Sequence, residues 1–150
     1  MAVTMDPRFF AVGSTVASSN NAYYTRVYGA RTGVTKLGAY FTASSGNVDF
    51  GIYASSGSGR TSAPTTRRVS SGSTACPAIG WGELTVSSTN ISVGDWLGWA
   101  ANNTTAAIYA SLSGSAAAVT GLTASQATAF PLPSTATPAA GGRNHLITGY

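Results

Sequence analysis

The sequence predicts an all-β fold, built as a sandwich or barrel of antiparallel strands. Short runs of residues alternate between apolar and polar, which is the pattern of a strand with one buried face. Clusters rich in Gly, Ser and Asn separate these runs and mark turns, and no convincing amphipathic helix interrupts them. About seven such strands are expected, as in common β-sandwiches. The 150 residues suffice for one domain with a substantial core.

The clearest predicted element spans residues 35–57, where two alternating runs flank Ser44-Ser45-Gly46. A three-residue connection that ends in glycine suits a turn whose last residue has a positive φ, so the sequence predicts a β-hairpin here. The period of two also identifies the side chains that should face the core. The predicted core contains Leu37, Phe41, Val48, Phe50, Ile52, Leu84, Val86 and Ile108.

Further strands are predicted on either side of this element. Residues 22–28 have the composition of a strand, and residues 83–86 and 106–112 alternate again. A turn at Gly94-Asp95 leads into a strand over residues 96–101.

Three segments are less regular. Residues 54–75 are rich in Ser, Gly and Arg and are predicted to form a long loop, with a short strand around residues 68–70. The Ala-rich residues 115–129 are the one candidate for a helix, which Thr120 and Gly121 weaken. The prolines of Phe130-Pro131-Leu132-Pro133 predict an extended segment along a surface.

These patterns divide the chain into an N-terminal arm (1–21), a β-sandwich domain (22–129) and a C-terminal arm (130–150). The arms lack strand periodicity but carry Phe9, Phe10, Phe130 and Tyr150, which is much apolar surface for a solvated tail. We therefore expect both arms to pack against neighbouring subunits. Because all strands are predicted to lie between the arms, removal of either arm is expected to leave the sandwich folded.

The composition favours a subunit of an assembly. Only 8% of residues are charged, against about 25% in an average soluble protein, so a lone domain would be poorly protected against association. Cys76 is the only cysteine and cannot form an internal disulfide. Neither a signal peptide nor a membrane-spanning run of apolar residues is visible.

Catalytic and metal sites are not predicted. His145 is the only histidine, and the motif of a nucleophile elbow is missing from the sequence. The four carboxylates, Asp6, Asp49, Glu83 and Asp95, are scattered, so the sequence predicts no catalytic residue, no metal site and no cofactor. The one alternative is glycoside hydrolysis by Asp49 and Glu83, which lie in predicted strands and could face each other.

The net charge is +4, and three arginines, Arg60, Arg67 and Arg68, lie in the predicted loop. Nucleic-acid-binding proteins usually carry a denser basic face with interleaved aromatic residues, so direct binding of nucleic acid is not expected. Sparse arginines fix the orientation of a docked protein well. We therefore expect these three residues to contact an acidic patch of a protein lattice.

Five aromatic residues are candidates for a platform that stacks on a sugar ring. They are Trp81, Trp96, Trp99, Tyr53 and Tyr109. Trp96 and Trp99 are separated by an odd number of residues, so in a regular strand they point to opposite faces and at least one should be in the core. Packing in the core or at a subunit interface is the alternative for all five.

Four segments together resemble the jelly-roll-type β-sandwich modules of structural proteins from tailed bacteriophages. These segments are residues 45–53, residues 75–80, residues 93–100 and Phe130-Pro131-Leu132-Pro133. The resemblance spans roughly residues 22–150 and consists of strand and turn patterns. It implies an all-β, jelly-roll-like antiparallel β-sandwich with extended N- and C-terminal arms.

The same resemblance implies a non-enzymatic virion structural protein, made in the host cytoplasm and placed on the exterior of the head. Because the module nearly fills the chain, a capsid decoration subunit is expected, trimeric and bound to the major capsid protein or other virion proteins. The alternative is a minor tail or receptor-binding module that recognises host-surface glycans through Trp81 or Trp99.

Overall fold

The computed structural model describes residues 12–16, 20–57, 62–111, 123–140, 144–145 and 147–150. These residues form thirteen strands and no helix. The strands are β1 (Val12–Val16), β2 (Ala22–Arg26), β3 (Arg31–Ala43), β4 (Asn47–Ser55), β5 (Pro64–Ser70), β6 (Thr74–Ala75), β7 (Gly80–Ile91), β8 (Trp96–Ala101), β9 (Ala107–Ser111), β10 (Thr123–Gln126), β11 (Ala139–Ala140), β12 (Asn144–His145) and β13 (Ile147–Gly149).

The strands make two antiparallel sheets that pack against each other, so the predicted β-sandwich is confirmed. In sheet A the order is β1-β9-β3-β13, with β12 also paired to β9 and β7 also paired to β3. In sheet B the order is β11-β10-β2-β8-β4-β5, with β6 also paired to β4. The apolar residues predicted for the core lie between the two sheets, and all eight are buried.

The predicted hairpin at residues 35–57 is wrong in its pairing, although both of its strands exist. β3 belongs to sheet A and β4 to sheet B, so the connection crosses the sandwich as a β-arch. Phe41 and Phe50 stack across the core with their ring centroids 5.9 Å apart. Alternation identifies which face of a strand is buried, but it does not identify the partner strand. Two such strands can be neighbours in one sheet, or they can lie in opposite sheets with their buried faces meeting in the core. Gly46 does adopt the expected positive φ, at 57°.

A second apolar cluster covers the outer face of sheet B. Residues 129–137, which we call the strap, run across this face and place Leu132 against Tyr53 and Trp96. The strap follows β5, because the Arg67 N–H donates to the carbonyl of Ser134 at 2.8 Å, and Thr66 bridges to Thr135. The prediction of an extended, proline-rich segment along a surface is confirmed. Sheet B is therefore buried on both faces, which explains why all six residues of β8 are buried.

The prediction that all strands lie between the two arms is wrong. β1 from the N-terminal segment pairs with β9, and β13 from the C-terminal segment pairs with β3 through Ile147 and Ala39. Ile147 is buried in the main core. β1 has five residues and β13 has three, and neither carries a run of alternation that distinguishes it from the irregular segment around it.

Two irregular segments also contain strands. The loop predicted for residues 54–75 is interrupted by β5, which begins at Pro64 and lies at the edge of sheet B, a position that tolerates proline. Within the Ala-rich candidate helix, residues 123–126 form β10 and pair with β2. The rest of that segment, residues 115–122, lies outside the described residues.

Candidate functional site

The outer face of sheet A carries a row of aromatic side chains. Tyr40 on β3, Trp81 on β7, Tyr109 on β9 and Tyr150 after β13 form this row, which we call the aromatic strip. Trp81 is 51% exposed and Tyr40 is 43% exposed. The strip follows from the same alternation that fills the core: Leu37 and Phe41 point inward from β3, so Tyr40 points outward.

Contacts between the rings hold the strip together. Tyr40 and Trp81 are directly opposite each other in the β3–β7 register. Tyr40 packs on Tyr109 with ring centroids 5.0 Å apart, and Trp81 meets Tyr150 edge to face at 5.9 Å. Aromatic pairs at these separations are stabilising, so the rings are held in place before any ligand arrives.

Gly38 lets the Trp81 indole lie against the sheet. A Cβ atom at position 38 would be 2.6 Å from Cζ2 of Trp81 and 3.2 Å from the Tyr150 hydroxyl oxygen. Only glycine therefore permits the indole to approach the β3 backbone this closely. The indole therefore approaches the β3 backbone at Cζ2, while about half of the residue stays exposed to solvent.

A polar pair borders the strip. The Trp81 indole N–H donates to Oε1 of Glu83 at 3.1 Å, and Nζ of Lys36 donates to Oε2 of the same carboxylate at 2.9 Å. The hydrogen bonds from Lys36 and then from Trp81 lower the pKa of Glu83, so its carboxylate is ionised at neutral pH. Burial, followed by the charge of Glu83, raises the pKa of Tyr150. Lys36 and Glu83 offset each other in charge, and the charge of Arg31 also reaches Tyr150.

The structure separates the five aromatic residues proposed from the sequence. Trp81 and Tyr109 belong to the strip. Trp96 and Trp99 do point to opposite faces of β8, and both are core residues: Trp99 is 0% exposed in the main core, and Trp96 packs with Tyr53 beneath the strap. The prediction that Trp99 contacts a glycan is therefore wrong.

The predicted arginine patch is also different in the structure. Arg67 and Arg68 lie on β5 rather than in a loop. The Arg67 guanidinium donates to the carbonyl of Leu132 in the strap, and Arg68 forms an ion pair with Asp95 at 3.0 Å. Both are therefore engaged within the chain. Arg60, Phe9 and Phe10 lie outside the described residues, and Phe130 is partly buried against the strap cluster.

The proposed pair of catalytic carboxylates does not form. Glu83 projects from the outer face of sheet A, whereas Asp49 is buried on the outer face of sheet B, where it accepts hydrogen bonds from the Leu132 N–H at 3.0 Å and from the Ser71 hydroxyl at 3.2 Å. Burial raises the pKa of Asp49. Asp95 accepts from the Ser92 N–H at 2.7 Å and so closes the predicted turn at Gly94-Asp95.

The described part of the chain contains neither a metal-binding cluster nor a membrane-spanning helix. No group of three or more His, Cys, Asp and Glu side chains there could hold a metal ion. Of the same residues, none forms a helix long and apolar enough to cross a membrane. His145 lies in β12, where the structure describes the strand but not the side chain.

Sequence reasoning missed several members of the site. Tyr40, Gly38, Lys36 and the role of Tyr150 in the strip were not recognised, because they meet Trp81 only through the pairing of β3 with β7 and β13. The one signal in the sequence is that Tyr40 is a large aromatic residue in the outward phase of an alternating run.

Comparison of the chain with protein-family models, with curated proteins and with solved structures finds no match. The geometry of the strip and the construction of the sandwich are therefore the features that bear on function.

Proposed function

We propose that the protein is a non-enzymatic structural protein of a tailed-phage virion, with the capsid decoration subunit as the leading role. The observation that carries the proposal is the three-layered construction. The strap covers sheet B, and it is held by the Asp49 carboxylate, by the Arg67 guanidinium and by the Tyr53 hydroxyl, which donates to the Pro133 carbonyl at 2.6 Å. These three side chains are engaged in hydrogen bonds to the strap, which supports a subunit that acts by binding.

In this role the protein is a homo-oligomer, with a trimer favoured, that attaches to the major capsid protein on the outside of the head. The low content of charged residues supports burial of part of its surface by neighbours. The strip then belongs to the surface that the particle presents to its surroundings.

The experiment uses purified heads that lack the protein and, as a matched control, purified tails. We expect the protein to sediment as a trimer and to cosediment with heads but not with tails. A stable monomer that binds neither particle would contradict the proposal, and binding to tails alone would contradict the placement on the head.

A second candidate is a minor tail or receptor-binding module that recognises host-surface glycans. The observation that favours it is the exposed Trp81 indole, held over Gly38 beside the Lys36–Glu83 pair. Trp99→Ala is not a fair test, because Trp99 is a core residue. Adsorption of phage carrying Trp81→Ala should fall if this candidate is right, and unchanged adsorption would count against it.

A further inference from the structure

We infer that the aromatic strip binds a neutral, linear oligosaccharide, with one sugar ring stacked on the exposed face of Trp81 and the next on Tyr40. The inference rests on the proposed function in one respect, that the strip faces outward from the particle, and it holds for either placement on the virion. Aromatic faces supply apolar contact area with little loss of conformational entropy, and the C–H groups of a pyranose ring offer a matching surface.

The dimensions of the strip indicate more than one sugar unit. The strip contains two ring pairs, Tyr40–Tyr109 with centroids 5.0 Å apart and Trp81–Tyr150 with centroids 5.9 Å apart. The Trp81 indole reaches over Gly38, two residues from Tyr40 on β3, and two residues of a strand span about 7 Å. A linear chain of two to three sugar units, running along β3, reaches from one ring pair to the other.

The polar pair provides contacts for the hydroxyl groups of the sugar. Lys36 uses one of its ammonium donors on Glu83, and each oxygen of Glu83 accepts a single hydrogen bond from Lys36 or Trp81. Donors and acceptors therefore remain beside the indole, and a sugar hydroxyl can both donate and accept. The two side chains already hold each other, so little ordering is needed when the ligand binds.

Charge excludes two other occupants of the strip. A nucleic acid could stack its bases on the rings, but its affinity depends on several cationic contacts to phosphate. Here Glu83 offsets Lys36, and Arg31, whose charge reaches Tyr150, is a single cation. A second copy of the chain, packed strip to strip, would remove two Lys36–Glu83 pairs from water, which is unfavourable without further partners. A neutral ligand rich in hydroxyl groups can contact the rings and the polar pair. It needs no cationic contacts to phosphate and does not bring a second Lys36–Glu83 pair out of water.

The chain contains a built-in probe for the test. Of its three tryptophans, Trp96 and Trp99 are buried and Trp81 is exposed, so quenching by acrylamide reports mainly on Trp81. The ligands tested are the β-1,4-linked hexasaccharides of glucose, N-acetylglucosamine, xylose and mannose, and the α-1,4-linked hexasaccharide of glucose. We expect at least one of them to protect Trp81 from quenching.

Variants then assign the site, with affinity measured by calorimetry. Trp81→Ala and Tyr40→Ala should each weaken binding by about tenfold or more, as loss of a stacking ring does elsewhere. Glu83→Gln, which keeps an acceptor for the indole, should weaken it severalfold. The matched control is Val93→Ala, at a residue that is 66% exposed in the turn before β8 and remote from the strip; it should bind like the unmodified protein.

Four results would overturn the inference: no binding of any of the five hexasaccharides, equal binding by Trp81→Ala, tighter binding of single-stranded DNA or heparin than of every neutral sugar, or a smaller oligomer on Trp81→Ala. Its failure is distinguishable from failure of the proposed function. A protein that binds heads but no sugar retains the structural role and loses this site. One that binds a sugar but neither heads nor tails retains the site and loses the role.

Discussion

Single residues decide how the strip is presented, and Gly38 is the clearest case. We predict that Gly38→Ala leaves the sandwich folded but displaces the Trp81 indole, because the new Cβ would be 2.6 Å from Cζ2. The expected loss of stability is about 1–3 kcal/mol, as for other overpacked sites. Acrylamide quenching of Trp81 and denaturant unfolding measure the two effects. Thr32→Ala, at an exposed position of β3, is the control; an unchanged Trp81 environment in Gly38→Ala would contradict the geometry.

The buried carboxyl group of Asp49 should make the stability of the protein depend on pH. Burial raises its pKa in the folded protein above the unfolded value, so the folded state binds the proton more tightly than the unfolded state does. The contribution of Asp49 to stability is therefore largest below the unfolded pKa of about 3.9 and declines as pH rises through the folded pKa. When the free energy of unfolding is measured between pH 3 and pH 7, the decline that Asp49 causes as pH rises should be absent in Asp49→Asn.

The control for Asp49 is Glu83→Gln. The pKa of Glu83 is lowered by Lys36 and Trp81, so its contribution has the opposite sign: it is present above the unfolded pKa and is lost as pH falls. If Asp49→Asn and Glu83→Gln changed the pH profile in the same direction, the assignment of Asp49 would be wrong.

At the scale of elements, the strap is a third layer with its own apolar core. Leu132→Ala removes a buried side chain from the cluster around Tyr53 and Trp96. We predict a loss of about 2–5 kcal/mol in the free energy of unfolding, measured by denaturant titration. Ser134→Ala, at an exposed position of the same strap, should have little effect. Equal stability of the two variants would mean that the strap does not pack on sheet B as described.

β13 gives a second prediction at this scale. Deletion of residues 147–150 removes Ile147 from the main core and leaves residues 37–39 of β3 paired on one side only, with β7. We expect the truncated protein to unfold at markedly lower denaturant concentration, whereas the substitution Thr148→Ser, which keeps the strand, should be mild. A truncated protein as stable as the full chain would instead support the prediction from the sequence that the sandwich folds without the C-terminal segment.

The sequence predicts strands better than it predicts their partners. Alternation placed Leu37, Phe41, Val48 and Phe50 in the core correctly, because burial of every second residue is a local property. The same alternation is compatible with a hairpin and with a β-arch, so the sheet to which β4 belongs was not predictable. Trp81 was found as a candidate, but its neighbours Tyr40 and Tyr150 required the register of β3 with β7 and β13.

At the scale of the whole molecule, the two outer faces of the sandwich differ in kind. The outer face of sheet B is covered by the chain itself, and the outer face of sheet A bears the aromatic strip with its polar pair. A single-sided molecule of this kind can attach to a particle and still present a binding surface. The proposed virion role and the inferred saccharide site both depend on this difference between the two outer faces.

The β-arch at Ser44-Ser45-Gly46 has a consequence for the order of folding. Because β3 and β4 do not pair, these neighbours in the chain cannot nucleate a sheet on their own, and β3 gains its ladder only when β7, β9 and β13 arrive from far along the chain. Closing such long loops costs conformational entropy before the strand contacts form, so folding is slow. All-β domains of this kind fold in about milliseconds to seconds. We therefore expect both layers to form in one cooperative step, with near-identical refolding rates reported by Trp81 in sheet A and by Trp96 beneath the strap.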